Sequence, residues 1–337
     1  MIKAIRIHTH GGPEVMRCES IELPSPAAGE ARVRQTAVAL NFSDVNVRRG
    51  GFYRTSAAKF PVILGNEAAG VVEAVGPGVN GARPGDRVAY VGVGGPFFEN
   101  TGAYAEARNV PADHLVPLPD DVTEEQAAAF LLKGLTASMI VNRVRRPKPG
   151  ETVLIHAVAS GVGLVLSQWS QHLGATVIGT VGSPGKTGVA RRYGCAHVIQ
   201  YREVDFVAEV KKLVPAGVDA VFDGVGHDTF ERSLDCMRPF GMLVNYGNAS
   251  GHPPPIDLLL LNQKGSLAVS RPGFHHHVDG PAALRAACTE LFELLRKGVL
   301  TVEIGRRYAL EDAASAHRDV EARTVAGSVV LLPGPPR

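Results

Sequence analysis

The sequence predicts an α/β protein with two domains, one built on a mostly antiparallel sheet and one on a doubly wound parallel sheet. Three observations predict this fold class. Residues 151–180 show the order strand, small-residue turn, helix and second strand, which begins a dinucleotide-binding fold. Further short apolar strands follow this segment and end at glycine-rich loops. The first third of the chain instead has many short strands separated by glycine and proline, as antiparallel sheets do.

Composition limits the possible functions before any motif is considered. The chain of 337 residues has room for about two domains. Charged residues make up 20% and nearly cancel at +2, which argues against nucleic acid or a membrane surface as partner. Residues 1–20 show no secretory signal, and no apolar run reaches membrane-spanning length. The cysteines lie far apart with no Cys-x-x-Cys pair, so we expect reduced thiols in a cytoplasmic protein.

The first domain is predicted from short extended segments that are broken by turns. Two polar loops lie between them, residues 41–46 with their continuation to Tyr53, and residues 65–70. Loops held by a rigid sheet are common places for active-site groups. Asn, Ser and Asp are equally common in plain turns, and Glu67 also suits a buried structural carboxylate with a backbone or arginine partner. The predicted strands are residues 1–8, 14–23, 30–40, 71–75, 87–91 and 102–109.

The turn after the strand at residues 153–155 is the centre of the second domain. Ala157, Ser160 and Gly163 occupy the three positions where dinucleotide-binding turns usually carry glycine. A helix over residues 162–173 follows, and the backbone N–H groups at its start would face a pyrophosphate that bulky side chains would keep away. The alternative is a parallel strand–helix unit with no ligand, since glycines also mark ordinary turns.

The segment after the second strand, at residues 176–179, bears on the choice between NAD and NADP. An NAD site carries Asp or Glu there for the ribose hydroxyls, but residues 180–186 contain no acid. Lys186, with Arg191 and Arg192, is placed to balance the extra phosphate of NADP. These basic residues also suit a solvated helix surface, so the missing acid is the stronger evidence for NADP.

The remaining elements complete both domains. Glycine-rich loops at residues 224–226 and 247–251 follow two of the later strands, and ligands of open parallel sheets bind beyond the carboxyl ends of strands. A helix over residues 281–298 has proline at its start and glycine at its end. The other predicted elements are a helix over residues 127–140 that begins at a capping box in residues 123–126, and strands at 196–200, 220–223, 243–246, 266–270 and 327–332.

Several long motifs occur in order along the chain, among them ALNFSDVNVRRG, GNEAAGVVEAVGPGV, PKPGETVLIHAVASGVG and DGVGHDTFERSLDCMRPFG. With shorter motifs along nearly the whole chain, they resemble the zinc-independent quinone oxidoreductases of the medium-chain dehydrogenase/reductase superfamily, relatives of zeta-crystallin. The resemblance implies a GroES-like domain at residues 1–125 and 273–337 and a Rossmann NADP-binding domain at residues 126–272. It also implies a homodimer that uses NADPH to reduce quinones.

The resemblance also assigns functional residues. Asn41 and Tyr53 are predicted to lie near the oxygen of the electron acceptor, with Asp44 orienting their loop. Lys186 and Tyr201 are predicted at the 2′-phosphate of the cofactor. The predicted cofactor contacts are Asn41, Thr136, Ser160, Gly161, Val162, Gly163, Ser183, Lys186, Tyr201, Gly224, Tyr246, Gly247, Asn248 and Arg271.

The same resemblance bears on zinc. Zinc alcohol dehydrogenases of the superfamily place Cys where this chain has Asn41 and His where it has Asn66, with a third ligand near Leu132 and Lys133. None of these residues makes a zinc ligand set, so we predict an enzyme without a metal. The consecutive histidines at residues 275–277 cannot all face one ion and are expected to form a loop.

Three functions follow from this reading. The first is NADPH-dependent quinone reduction, and the second is reduction of an activated C=C bond with Tyr53 as proton donor. The third is a non-catalytic role, crystallin-like or RNA-binding, which the near-neutral charge disfavours for RNA. Asn46 stands where the family commonly has Tyr, and Ser160 where it has Gly, so the substrate pocket and the proton donor stay open.

Overall fold

The computed structural model of the protein describes residues 1–50, 60–92 and 100–334. The chain divides into two compact units. Unit 1 is Met1–Leu132, Val278–Arg296 and Val302–Arg337, and unit 2 is Lys133–His277 and Lys297–Thr301. The two domains expected from the sequence, with bounds at 125/126 and 272/273, stay a prediction. The edges of the compact units fall a few residues further along the chain.

The described residues form short strands and helices throughout. The strands are β1 Ile2–Ile7, β2 Met16–Ile21, β3 Glu30–Leu40, β4 Val62–Ile63, β5 Glu67–Val75, β6 Arg87–Val91, β7 Ala107–Pro111, β8 Val116–Pro117, β9 Thr152–Ile155, β10 Thr176–Val181, β11 His197–Gln200, β12 Val218–Asp223, β13 Met237–Asn245, β14 Ala268–Ser270, β15 Ile304–Ala309 and β16 Ser328–Leu332. The helices are α1 Phe42–Arg49, α2 Glu124–Met139, α3 Gly161–His172, α4 Thr187–Arg192, α5 Phe206–Leu213, α6 Phe230–Leu234, α7 Leu258–Gln263, α8 Pro281–Arg296 and α9 Ala313–Glu321.

Unit 1 contains two sheets, and most of their strand pairs are antiparallel, as predicted. The smaller sheet has the order β2-β1-β4, and the larger has the order β15-β16-β3-β5-β6-β8, with β7 paired to β3. The long strand β3 alternates buried and half-buried residues along its first half, so one face packs into the core. Val33, Val38 and Leu40 of this strand join Val72 and Leu331 in one apolar cluster.

The structure differs from the predicted loops at two places in unit 1. The segment at residues 41–46 lies in helix α1 except for Asn41, which is its N-cap and donates its N–H to Asp44 Oδ2 at 2.8 Å. Gly50 ends this helix with φ 68°. Asn, Asp and Gly favour turns, but they are also the residues of helix starts and ends, and this second use applies here. Strand β5 begins at Glu67, within the second predicted loop.

Unit 2 is built on one parallel sheet with the order β11-β10-β9-β12-β13-β14. In this order the chain runs outward from β9 in one direction, returns, and runs outward in the other, which is the doubly wound arrangement. Leu154, Ile178, Val221 and Leu243 from its strands are fully buried. The doubly wound parallel sheet is therefore confirmed, and its strands all end at the same edge.

Helix α2 begins at the predicted capping box. The Gln126 N–H donates to Thr123 Oγ1 at 3.2 Å, and the Thr123 N–H donates to Gln126 Oε1 at 3.0 Å. With a π-helical turn the helix runs over Glu124–Val144, and by its length and apolar composition alone it could cross a membrane. The sequence analysis did not foresee this because charged residues interrupt the apolar run. Within its most apolar stretch of 18 residues, 78% are buried inside the protein, as in a core helix.

Candidate functional site

The carboxyl ends of the six parallel strands of unit 2 carry most of the predicted cofactor contacts. Such an edge is where open α/β sheets bind their ligands. In strand order, Ser160, Gly161, Val162 and Gly163 follow β9, Ser183 and Lys186 follow β10, Tyr201 follows β11, Gly224 follows β12, Tyr246, Gly247 and Asn248 follow β13, and Arg271 follows β14. Thr136 lies on α2 in unit 2.

The turn after β9 brings backbone groups close together at the start of α3. Ser160 is the N-cap, and its Oγ accepts the Gly163 N–H at 3.1 Å. A Cβ at Gly163 would lie 2.5 Å from the Ala157 oxygen and 2.7 Å from the Val158 oxygen, so glycine is required there. Ala157 has φ 50°, a left-handed conformation that strains a residue other than glycine. Gly163 therefore lets the start of α3 pack closely against the turn, and the N-terminal end of a helix favours an anion.

A buried hydrogen-bond chain supports this turn from inside unit 2. The Ser233 hydroxyl donates to the Thr229 oxygen at 2.6 Å, so its Oγ accepts from His156 Nε2 at 2.8 Å. His156 Nδ1 then accepts from the Thr180 hydroxyl at 3.1 Å, and Thr180 Oγ1 accepts the Ala157 N–H at 3.2 Å. Burial lowers the pKa of His156, which keeps the ring neutral as this chain requires.

The segments that follow β10 and β11 lie next to each other at this edge of the sheet. The Tyr201 N–H donates to the Val181 oxygen at 3.2 Å, and a Cβ at Gly182 would lie 3.1 Å from the Tyr201 hydroxyl. Ser183 precedes the short 3-10 turn Pro184–Lys186. The predicted 2′-phosphate residues, Lys186 and Tyr201, thus come from neighbouring strand ends with no carboxylate in the intervening segment.

Asp223 organises the ends of β12 and β13. Its Oδ1 accepts the N–H groups of Val225 at 2.8 Å and Gly226 at 3.2 Å, and its Oδ2 accepts from Asn245 Nδ2 at 3.2 Å. Arg271, after β14, donates to the Gly247 oxygen at 2.9 Å and to Asn245 Oδ1. These bonds hold the two glycine-rich ends side by side.

The backbones of those two ends approach closely. A Cβ at Gly247 would lie 2.4 Å from the Gly224 oxygen, and one at Gly224 would lie 2.8 Å from the Tyr246 ring. The Tyr246 hydroxyl is buried without a hydrogen-bond partner among the described residues, and burial raises the pKa of this phenol. Both glycines are therefore needed for packing.

Two buried carboxylates organise a polar cluster in unit 1. Asp44 accepts the Asn41 N–H at 2.8 Å and the Asn66 side-chain amide at 2.9 Å. Glu67 accepts the Asn41 side-chain amide at 3.0 Å and the Leu132 N–H at 2.7 Å. Asp44, Asn66 and Glu67 are fully buried. The backbone is thus one partner of Glu67, as one of the two expectations had it.

The chemistry of this cluster does not suit zinc. Carboxylate oxygens only accept, so the amide nitrogens of Asn41 and Asn66 are directed at Asp44 and Glu67 as donors. Zinc takes Cys, His or carboxylate ligands, and the residues at the three ligand positions of the zinc relatives supply none of these. Within the described ranges, no group of three or more His, Cys, Asp or Glu side chains is placed to hold an ion. The absence of a metal stays a prediction that this donor set supports.

A second polar chain in unit 1 leads from the cluster to the protein surface. The Tyr104 hydroxyl lies 3.4 Å from Asp44 Oδ2 and 3.0 Å from His317 Nε2. His317 Nδ1 lies 3.0 Å from Arg48 Nη1, and Arg48 Nη2 donates to Glu321 Oε1 at 2.6 Å. Burial, with Arg48 nearby, lowers the pKa of His317 to about 3. The sequence analysis did not find Arg48, Tyr104 or His317, since no local pattern distinguishes them.

The structure describes two of the three predicted catalytic residues. Asn41 and Asp44 belong to the polar cluster of unit 1, and Tyr53 lies outside the described residues. The contacts of Asn41 and Asp44 with each other agree with an orienting role for Asp44. The catalytic assignment itself stays a prediction.

The chain is similar to known proteins over nearly its whole length. A family model described as "Alcohol dehydrogenase GroES-like domain" matches residues 27–120, and one described as "Zinc-binding dehydrogenase" matches residues 161–328. A quinone oxidoreductase of Pseudomonas aeruginosa is 43% identical, over 99% of this chain and 100% of the relative. A 2-haloacrylate reductase of a Burkholderia species is 39% identical, over 99% of both chains.

Solved structures are also similar to this chain over nearly its whole length. The Escherichia coli quinone oxidoreductase complexed with NADPH matches with a TM-score of 0.92 and 41% identity, over 98% of this chain and 100% of that chain. These matches confirm the predicted fold class, a GroES-like β domain with a Rossmann domain.

The buried neutral His317 predicts a pH-dependent stability. The pKa of His317 in the fold is about 3, below its ordinary value near 6.5, so the unfolded chain binds a proton that the folded chain does not between these values. The contribution of the neutral His317 to the free energy of unfolding is fully present above about pH 6.5. It falls by about 1.4 kcal/mol for each pH unit below that value. We expect urea unfolding to show this slope, and His317→Gln to flatten it relative to wild type. Equal slopes in both proteins would contradict the assignment.

Proposed function

We propose that this chain, which belongs to the quinone oxidoreductase family of the medium-chain dehydrogenase/reductase superfamily, is an oxidoreductase that uses NADPH to reduce quinones. The observation that carries the proposal is identity along nearly the whole length to several quinone oxidoreductases. Quinone oxidoreductases of Pseudomonas aeruginosa and Salmonella typhimurium are each 43% identical to it over 99% of this chain. A neighbouring solved structure contains NADPH.

The residues of unit 2 fit this cofactor. The backbone N–H groups at the start of α3, which Gly163 allows to pack closely against the preceding turn, suit a pyrophosphate. Ser183, Lys186 and Tyr201 suit the 2′-phosphate, because the segment after β10 offers a lysine and no carboxylate. When bound, NADPH supplies the hydride. The other residues that would line its path are Thr136, Gly224, Tyr246, Gly247, Asn248 and Arg271, with Asn41 at the nicotinamide.

The acceptor site is proposed at the polar cluster of unit 1. A quinone is electrophilic by itself and needs no Lewis acid, which agrees with a cluster of amides and carboxylates. Asn41 and Tyr53 are the proposed groups near the acceptor oxygen. Asp44 would orient Asn41 by accepting its N–H at 2.8 Å.

A second candidate function is the reduction of an activated C=C bond. The 39% identity to a 2-haloacrylate reductase over 99% of this chain favours testing it. The non-catalytic, crystallin-like or RNA-binding alternative has no support among the named relatives, and a shift of labelled RNA at physiological salt would revive it.

A homodimer in the cytoplasm completes the proposal. Strand β14 is an outer strand of the six-stranded sheet, with a backbone edge that pairs with no other described strand. The resemblance supports pairing of such edges between two copies. Light scattering that gave the mass of one chain, 35.6 kDa, would contradict the dimer.

Acceptor turnover tests the proposed activity. We expect the purified protein to oxidise NADPH with small quinones at a kcat/KM at least about tenfold above that for acrylates and enones. The measurement is the loss of NADPH absorbance with a panel of both acceptor classes. Faster turnover of acrylates would favour the second candidate, and no turnover of either class would contradict an enzyme of this type.

Substitution of Gly163 tests the pyrophosphate position. In Gly163→Ala the new Cβ would lie 2.5 Å from a backbone oxygen, so the turn must shift. We expect the dissociation constant for NADPH, measured by fluorescence, to rise at least about tenfold. Gly188→Ala is the control, because a Cβ there meets no atom within 4 Å. Equal binding by the two variants would remove Gly163 from the cofactor site.

Substitution of Lys186 tests the choice of NADPH over NADH. Lys186→Ala removes a cation that would bond the 2′-phosphate, a contact worth roughly 1.5–3 kcal/mol. We expect the KM for NADPH to rise about tenfold or more, with little change in the KM for NADH. Steady-state kinetics with both cofactors measures this. A similar rise for both would place Lys186 away from the 2′-phosphate.

A further inference from the structure

Two helices of unit 1 each present a polar pair to the same buried chain. Asp44 and Arg48 stand four residues apart on α1, and His317 and Glu321 stand four residues apart on α9, so each pair lies on one face of its helix. Tyr104 lies between Asp44 and His317. Arg48, Asp44, Tyr104 and His317 have no exposed surface.

Arg48 fixes the direction of the hydrogen bonds along this chain. A guanidinium donates and never accepts, so His317 Nδ1, 3.0 Å from Arg48 Nη1, must be the acceptor. The ring is neutral, with its pKa lowered to about 3, and its single hydrogen is therefore on Nε2. His317 Nε2 then donates to the Tyr104 oxygen at 3.0 Å.

The direction continues from Tyr104 to the polar cluster. Because the Tyr104 oxygen accepts from His317, its own hydrogen is left for Asp44 Oδ2 at 3.4 Å, a long hydrogen bond. Burial and the Asp44 charge raise the pKa of Tyr104, which keeps that hydrogen in place. Asp44 Oδ2 thus receives donors from Tyr104 and from the Asn41 N–H, while its Oδ1 receives the Asn66 amide.

We propose that Arg48, His317 and Tyr104 are positioning residues for the acceptor site. Their hydrogen bonds orient the Asp44 carboxylate, and through it the amide of Asn66 and the start of α1 at Asn41. The inference rests on the proposed function, because it takes Asn41 and Asp44 as members of the acceptor site.

Packing alone does not account for these residues. An arginine without exposed surface carries a desolvation cost, and apolar side chains of similar volume usually fill a core equally well. Arg48 is satisfied here by Glu321, by the Gly11 oxygen at 3.1 Å and by His317, so its charge does not itself require Tyr104. What the chain adds beyond packing is one defined orientation of Asp44.

Nitrogen NMR of the whole protein tests the direction without any assay of activity. We expect His317, identified by the signal lost in His317→Gln, to show the neutral Nε2–H tautomer from pH 5 to pH 8. The charged and titratable groups that face it are Arg48, Tyr104, Asp44 and Glu321, with Arg49 paired to Glu321. A ring protonated at Nδ1 at neutral pH would overturn the proposal.

Kinetics test the consequence for the acceptor site, with a matched control. Tyr104→Phe and Tyr90→Phe each remove one fully buried hydroxyl from unit 1, but the Tyr90 hydroxyl donates to Gln35 and the Tyr104 hydroxyl to Asp44. We expect Tyr104→Phe to lower kcat for quinone about tenfold, with the dissociation constant for NADPH unchanged, and Tyr90→Phe to keep kcat. The same kcat in both variants would refute the positioning role.

A double variant separates one connected chain from independent packing effects. Tyr104→Phe combined with His317→Gln should lower kcat no further than the more severe single variant, because both interrupt the same chain. If the loss of kcat in the double variant were the product of the losses in the two single variants, the proposal would be overturned. Failure of the proposed function is distinguishable, since the wild-type protein would then not reduce quinones while the NMR result for His317 stayed the same.

Discussion

A buried carboxylate must be surrounded by donors, and this constraint shapes both units of the protein. In unit 2, Asp223 gathers N–H groups from the end of β12 and the Asn245 amide from β13, which holds two glycine-rich strand ends together. In unit 1, Asp44 gathers Asn41, Asn66 and Tyr104. Because these acids only accept, each of these partners must present an N–H or O–H to them.

The two candidate sites use different parts of the chain for their chemistry. The candidate cofactor site of unit 2 is largely backbone, at glycines where a Cβ would meet neighbouring atoms. The polar cluster of unit 1 is side chain, with amides at the positions where zinc relatives place metal ligands. On the proposed function this division is reasonable, since a nucleotide needs close backbone approach. A quinone needs only orientation and a dry site.

Patterns among neighbouring residues predicted individual segments of the structure. The turn at Ser160 and Gly163 and the capping box at Thr123 follow from neighbouring residues, and the structure has both. The prediction of a loop that begins at Asn41 was wrong, because the residue types that form turns also start helices. The helix predicted over residues 127–140 is longer in the structure, Glu124–Val144, because charged residues at both ends interrupt the apolar pattern.

The sequence by itself determined the fold class, the order of elements in unit 2 and the residues at its strand ends, because strand periodicity and glycine placement act over a few residues. Only the tertiary structure decided which distant side chains meet. Tyr104 and His317 stand 213 positions apart, and Arg48 and His317 stand 269 apart, yet each pair is in hydrogen-bond contact. Their pairing depends on how sheets and helices pack, and the desolvation cost of a polar group is set only when that packing buries it.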